Sequence, residues 1–164
     1  MIKKTVFMMA GLSAVGCTSV TVQPLDAAYN VKHICITENP KVIVDELVPV
    51  IAEGLSRHHI ESTFIQSTVD NAIRSGDDQR YDHYFMGVTP APDSCDYRLT
   101  YTARQSWDFT TYLCTADIEI SDRRSVIARA NYHLVGNGGL SLMKWQGVKT
   151  KIDPVMDELL QFYR

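Results

Sequence analysis

The chain has 164 residues, of which 45% are apolar and 21% are charged, and this composition excludes a wholly disordered protein. Its length allows one hydrophobic core, so a single globular domain is predicted. Without residues 1–16 the chain keeps 14 basic and 19 acidic residues, a formal net charge of −5. Such a chain lacks the basic patch that nucleic-acid binding requires, so no nucleic-acid partner is predicted.

The first 17 residues are typical of an export signal. Lys3 and Lys4 form a positive amino-terminal region, and residues 5–15 form an apolar stretch that is too short to span a bilayer. The following sequence, Ala14-Val15-Gly16-Cys17, resembles a lipobox, the site at which a precursor is cut before an acylated cysteine. Ala14 departs from the pattern because Leu is usual there. We expect residues 1–16 to be a lipoprotein signal peptide and Cys17 to be lipidated; a conventional signal peptide or a buried helix is the alternative.

The residues after Cys17 bear on where the anchored protein resides. No later apolar segment reaches membrane length, so the predicted membrane attachment is through the acyl chains on Cys17. Thr18 stands where an inner-membrane retention signal would have Asp, which by resemblance to sorted lipoproteins favours the periplasmic side of the outer membrane. Residues 17–30 have no strong period and are predicted to be a tether ahead of a domain at 31–164.

Three cysteines remain after lipidation, and the periplasm is oxidising, which favours one disulfide and one free thiol. Cys114 alternates in phase with the apolar residues around it, so it is expected on a buried face as a small hydrophobic side chain. We therefore predict a disulfide between Cys35 and Cys95. A metal site is the rival interpretation, but no two cysteines have the close spacing of metal ligands.

The first half of the domain is predicted to form a β-α-β unit. Residues 31–37 and 62–66 are predicted strands, and Asn39-Pro40 is typical of a helix start, followed by an apolar stripe up to about His58. Pro49 would then lie inside the helix and kink it. Residues 67–94 give the weakest pattern, with loop-like stretches around Gly76 and Pro90.

The second half alternates with a period of two in three successive segments, at residues 95–106, 112–120 and 128–134. This pattern predicts an antiparallel meander with one apolar and one polar face. A last amphipathic helix is predicted from about Thr150. The fold class predicted is therefore α+β, a two-layer sandwich in which an approximately five-stranded mixed or antiparallel sheet carries two amphipathic helices on one face.

Polar residues on the open face of the sheet suggest two interpretations. They are a paired-carboxylate site with basic neighbours, or a ladder of opposite charges between strands, which we favour because an open face offers no cleft. The residues concerned are Arg98, Arg104, Asp117, Glu119, Arg129 and His133.

Glycines and histidines do not predict a cofactor or a metal site. The segment Gly136-Asn-Gly-Gly-Leu-Ser lacks the residues of a phosphate loop or of a hydrolase elbow at Ser141, and a turn with positive φ explains it. His58 and His59 are adjacent and diverge on a helix, so a helix end is the simpler explanation. His83 lies near three aspartates without a recognisable ligand pattern.

Aromatic residues gather in and beside two connections of the predicted sheet: Trp107, Phe109, Tyr112 and Trp145. They would form a surface for a partner or a lipid if both connections lie at the same end. The alternative, which we favour for Trp145, is that the tryptophans plug the end of the sandwich. For Trp107 both remain open, because Ser106 and Asp108 flank it.

Four strings are similar to a family of small proteobacterial outer-membrane lipoproteins without an assigned activity. They begin at Asn39 (NPKVIV), Cys95 (CDYRLTYTA, with SWD following), Gly138 (GGLSL, with KW following) and Asp153 (DPVMDELL). The resemblance covers about residues 31–163. It supports the anchor and the positions of Cys35 and Cys95, and it implies no catalytic or ligand residues.

The sequence thus predicts a lipid-anchored envelope lipoprotein that is not an enzyme and acts as a binding, assembly or adaptor module, with an envelope protein as a possible partner. The alternative is a small periplasmic hydrolase whose site is assembled from residues distant in sequence. A concave pocket with two converging titratable groups would favour the hydrolase.

Overall fold

The computed structural model describes residues 18–66, 95–138 and 142–163. They form a mixed six-stranded sheet of order β1-β6-β5-β4-β2-β3 and two α-helices. The elements are β1 (Thr18–Gln23), β2 (His33–Thr37), α1 (Leu47–Arg57), β3 (Glu61–Ile65), β4 (Arg98–Asp108), β5 (Thr110–Ser121), β6 (Val126–Leu134) and α2 (Val148–Leu159). The predicted α+β class is confirmed, with six strands rather than about five. Predictions for Cys17, His83, Ser141 and residues 67–94 concern residues outside the described ranges.

The meander of β4, β5 and β6 is built as its alternation predicted. Leu99 pairs with Ile120 and Tyr101 with Ile118, and these four side chains are buried in the core. The alternation breaks at Cys114, because a β-bulge there leaves it without a partner in β4. Cys114 is a free, half-buried thiol.

The helices α1 and α2 pack against each other over the apolar face of the sheet. A Cβ atom added at Gly54 of α1 would lie 2.9 Å from Cβ of Met156 of α2, so only glycine allows this close approach. At the rim, Arg57 donates to Asp153 and Asp157 of α2. The two helices therefore form one layer, as predicted.

The first helix begins later than predicted. Asn39 does not cap it, because its side-chain amide donates to the carbonyl of Tyr101 and its Oδ1 accepts from the Lys41 amide. Since α1 starts at Leu47, Pro49 lies in its first turn, where a backbone N–H has no partner within the helix. The kink expected at Pro49 is therefore not required.

The segment predicted to be a tether belongs to the folded domain. Residues 18–23 form β1, which pairs antiparallel with six residues of β6, from Leu134 back to Arg129. Leu25 is fully buried, and its amide donates to the carbonyl of Leu159 at the end of α2. The first described residue, Thr18, is thus already part of the sheet, and no flexible linker follows residue 17.

The predicted disulfide between Cys35 and Cys95 is present, with the two α-carbons 5.9 Å apart. Cys35 lies in β2 opposite Arg98 of β4, and Cys95 stands three residues before β4 begins. The bridge therefore reinforces the parallel β2–β4 pair, which shares only two residue pairs in register.

Candidate functional site

The turn between β4 and β5 places an aromatic side chain at the tip of the longest hairpin. Asp108 and Thr110 face each other across the hairpin, and Phe109 alone forms the apex. The apex requires a left-handed backbone, with φ of 63° at Phe109, a conformation that a bulky side chain rarely adopts. The Phe109 side chain is 87% exposed, so the fold gains almost no burial from it.

A short 3₁₀ helix at Leu142–Trp145 is fastened to this hairpin. Lys144 is buried and its Nζ lies 2.6 Å from Oδ2 of Asp108 and 4.7 Å from the ring centre of Tyr112. The indole N–H of Trp145 donates to the carbonyl of Asp108 at 3.0 Å. The hydrogen bond that Lys144 donates to Asp108 raises the pKa of Lys144, so its ammonium group stays charged at neutral pH.

A second buried lysine, Lys151 of α2, supports the same region from beneath. Its Nζ donates to the carbonyls of Leu113 and Lys144, at 3.2 and 2.7 Å. Burial lowers the pKa of Lys151, but two carbonyl acceptors hold its protons. Lys151 therefore joins α2, β5 and the 3₁₀ helix. Nothing in the sequence pattern distinguished these two lysines from surface lysines.

The structure separates the aromatic residues that the sequence grouped together. Tyr112 is buried and lies under the two lysine ammonium groups. The others project outward: Phe109 is 87%, Trp107 71% and Trp145 36% exposed, beside Leu142 at 82%. The prediction that Trp145 plugs the core is wrong, because it lies on the hairpin at the rim; Trp107 faces solvent. We call Trp107, Phe109, Leu142 and Trp145 the aromatic end.

The polar face of the sheet carries one ion pair of the predicted charge ladder, together with hydrogen bonds to neutral side chains. Arg129 of β6 pairs with Glu119 of β5 at 2.8 Å. Both oxygens of Asp117 accept hydrogen bonds, from Thr102 of β4 and from the Asn131 amide of β6. These carboxylates are engaged in holding neighbouring strands together.

A cavity of about 210 Å³ lies between the β1–β6 edge and α2. Its lining includes Thr18, Tyr132, Met143 and Lys151. Burial raises the pKa of Tyr132 to about 12, with a smaller contribution from Cys114, so the phenol is neutral. The Tyr132 hydroxyl is buried without a hydrogen-bond partner among the described residues.

The paired histidines close the end of α1, as the simpler interpretation had it. His58 contacts the Tyr163 carbonyl at 2.6 Å and Asp157 at 3.1 Å, and His59 takes the left-handed conformation that ends the helix. Burial raises the pKa of Asp157, but hydrogen bonds from Arg57 and His58 outweigh it, and the net pKa is below the usual value. In the described ranges no cluster of three or more His, Cys, Asp or Glu side chains is arranged to hold a metal ion.

Comparison with known proteins identifies no family. No protein-family model and no curated protein sequence matches the chain. One solved structure, of a protein described as a minor lipoprotein from Acinetobacter baumannii, is similar over 81% of this chain and 89% of that chain, at 16% identity and a TM-score of 0.29. A TM-score this low supports no inference about fold or function. In the described part of the chain, no helix is long and apolar enough to cross a membrane.

Proposed function

We propose that the protein is a lipid-anchored lipoprotein of the bacterial envelope, attached through Cys17 to the periplasmic side of the outer membrane. The observation that carries this proposal is that Thr18, the residue next to Cys17, already belongs to β1. Cleavage before Cys17 would remove no strand or helix of the described domain, and the acylated residue would directly precede β1. This is the arrangement expected when residues 1–16 act only as an export signal.

We further propose that the domain is a binding or assembly module without catalytic activity. Its acidic groups on the open face are engaged, with Glu119 held by Arg129 and Asp117 by two hydrogen bonds. The cavity beside β1 contains Lys151, whose protons are held by two carbonyl oxygens. Residues with such fixed partners stabilise the fold and are poorly suited to abstract or transfer protons.

Metabolic labelling with a palmitate analogue tests the anchor. The full-length protein should be labelled and should sediment with outer membranes. Cys17→Ala should remain an unprocessed precursor without label, whereas Cys114→Ala, which removes the free thiol, should be labelled and processed normally. Labelling that persists in Cys17→Ala would contradict the proposal.

Cross-linking in intact envelopes tests the second part. A binding module should give a specific adduct that survives affinity isolation under denaturing conditions. Turnover of esters, peptides or glycans by the purified lipoprotein, lost in a cavity variant such as Lys151→Met that still folds, would favour the hydrolase instead.

A further inference from the structure

We propose that the aromatic end contacts the lipid surface in which Cys17 is anchored, with Trp107, Phe109 and Leu142 entering its headgroup region. This inference rests on the lipidation proposed above and goes beyond it. Acylation alone would attach the protein; a second, protein-borne contact would fix how the domain is oriented on the membrane.

The strand directions bring the anchor and the aromatic end to the same side of the molecule. Thr18, the first residue of β1, pairs with Leu134, the last residue of β6. Since β5 runs antiparallel to β6, its first residue, Thr110, lies at that side as well. The α-carbon of residue 17 is about 3.8 Å from that of Thr18, because one peptide bond joins them.

The hairpin tip projects beyond the anchor point. Thr115 pairs with His133, and the five positions from Thr115 back to Thr110 include one bulged residue. At about 3.3 Å per residue, Phe109 therefore lies roughly 13 Å past the end of β6. Because β1 and β5 are two strand spacings apart, about 10 Å, a tilt of the strands by roughly 50° brings both the hairpin tip and the start of β1 to one lipid surface.

Two exposed apolar side chains of the 3₁₀ helix, Leu142 and Met143, lie between these two points. Met143 lines the same cavity as Thr18, and its neighbour Leu142 is 82% exposed. Trp145 then connects this 3₁₀ helix to the hairpin through its hydrogen bond to Asp108. The 3₁₀ helix therefore carries exposed apolar side chains between the cavity beside β1 and the hairpin.

Two polar groups at the base of this end, the Asp108 carboxylate and the Trp145 indole N–H, have partners within the protein, which favours lipid contact. The charge of Asp108 is countered by Lys144, and its carbonyl accepts from the Trp145 indole. The exposed residues above this ion pair are tryptophan, phenylalanine and leucine, which are the residue types that favour the membrane interface.

Phe109 supplies independent support. Glycine or asparagine would fit its left-handed backbone better, and burial does not explain a phenylalanine that is 87% exposed. A strained residue that the fold does not need points to a role for its side chain. Contact with lipid also agrees with the position of β1. Since β1 begins at Thr18, no flexible segment after residue 17 could hold this end away from the bilayer.

The test uses the acylated full-length protein in vesicles of phosphatidylethanolamine and phosphatidylglycerol that contain brominated lipid. The chain has two tryptophans, so Trp145→Phe leaves Trp107 as the sole emitter. Its fluorescence should be quenched about twofold or more, as expected for an indole at the headgroup level. The matched control combines Trp107→Phe, Trp145→Phe and Phe64→Trp. Position 64 lies in β3, the far edge strand, level with Leu99, and should remain unquenched.

The palmitate label distinguishes the two proposals. Protein without label would contradict the anchor. Labelled, vesicle-bound protein with unquenched Trp107 would overturn the lipid contact while the anchor stands. Protection of Trp107 only in native envelopes would likewise overturn it and assign the aromatic end to a protein partner.

A second variant removes the apex side chain without harming the fold. Phe109→Gly should keep or raise the denaturation midpoint, since glycine suits this backbone, while reducing the quenching of Trp107. Unchanged quenching in Phe109→Gly would contradict the role assigned to the apex.

Discussion

The ammonium group of Lys144 lies 2.6 Å from Oδ2 of Asp108, although 36 positions separate the two along the chain. This ion pair joins the 3₁₀ helix before α2 to the tip of the β4–β5 hairpin. The two connections that form the aromatic end therefore behave as one unit, held at its base by a buried lysine.

Lys144→Met should release the 3₁₀ helix from the hairpin while the sheet remains folded. We expect amide hydrogen exchange at residues 143–146 to become about tenfold faster, because the local opening loses its main constraint. Lys149→Met is the matched control, since Lys149 forms its ion pairs on the exposed side of α2 with Glu53 and Asp153. Equal exchange in Lys144→Met and the unaltered protein would show that the ion pair does not hold the 3₁₀ helix.

Tyr132→Phe should not destabilise the protein at neutral pH. It should raise the free energy of unfolding by up to about 1–2 kcal/mol, because it removes a buried hydroxyl without a partner among the described residues. Tyr101→Phe is the control. The Tyr101 hydroxyl accepts a hydrogen bond from the backbone N–H of Asn39, so loss of this hydroxyl should lower the free energy of unfolding by about 1 kcal/mol. Denaturant unfolding measures both.

The same phenol makes stability depend on alkaline pH. The pKa of Tyr132 is about 12 in the folded protein and 10.0 ordinarily. Between these values the unfolded chain loses the proton while the folded chain keeps it, so stability falls as pH rises from 10.0 towards 12. This part of the alkaline loss should be absent in Tyr132→Phe; an identical pH profile in both proteins would contradict the assignment.

Reduction of the Cys35–Cys95 bridge should lower the free energy of unfolding by about 4 kcal/mol, the chain-entropy value for a loop of this size. The effect should appear as a lower denaturation midpoint in reducing buffer. Cys114→Ala should respond to reduction in the same way, since Cys114 takes no part in the bridge. A midpoint insensitive to reductant would contradict the prediction.

Gly54→Ala should destabilise the protein despite the better helix propensity of alanine. The new methyl group would meet Met156 at 2.9 Å, and overpacking of this kind costs about 1–3 kcal/mol. Gly147→Ala, with nothing within 4 Å of the added atom, should change stability by less than about 1 kcal/mol. Thermal melts compare the two, and an equal or higher midpoint for Gly54→Ala would refute the close-packing argument.

The fold was predictable where local pattern and tertiary structure agree. Residues such as Leu99, Tyr101, Ile118 and Ile120 alternate regularly, and this gave the meander and its buried face. The start of α1 was misplaced, because Asn39 forms its hydrogen bond with Tyr101, a residue 62 positions away. A long-range partner of this kind leaves no trace in local sequence.

The first strand and the candidate site show the same limit. Residues 18–23 are mostly polar, and they become a strand through pairing with β6. Of the four aromatic residues that the sequence grouped together, Tyr112 is buried and the other three are exposed. The burial of Lys144 and Lys151 depends on acceptors supplied by distant segments. Because lysine is usually exposed, sequence alone assigned neither residue to the site.

The position of β1 at the rim of the sheet also governs self-association. β1 covers six residues of β6 that would otherwise present free backbone amides and carbonyls. A chain that starts at residue 31 would expose these amides and carbonyls of β6, and exposed strand edges recruit strands from other molecules. Loss of β1 would thus replace a six-residue, mostly polar edge strand by the longer and more apolar β6, a stronger template for aggregation.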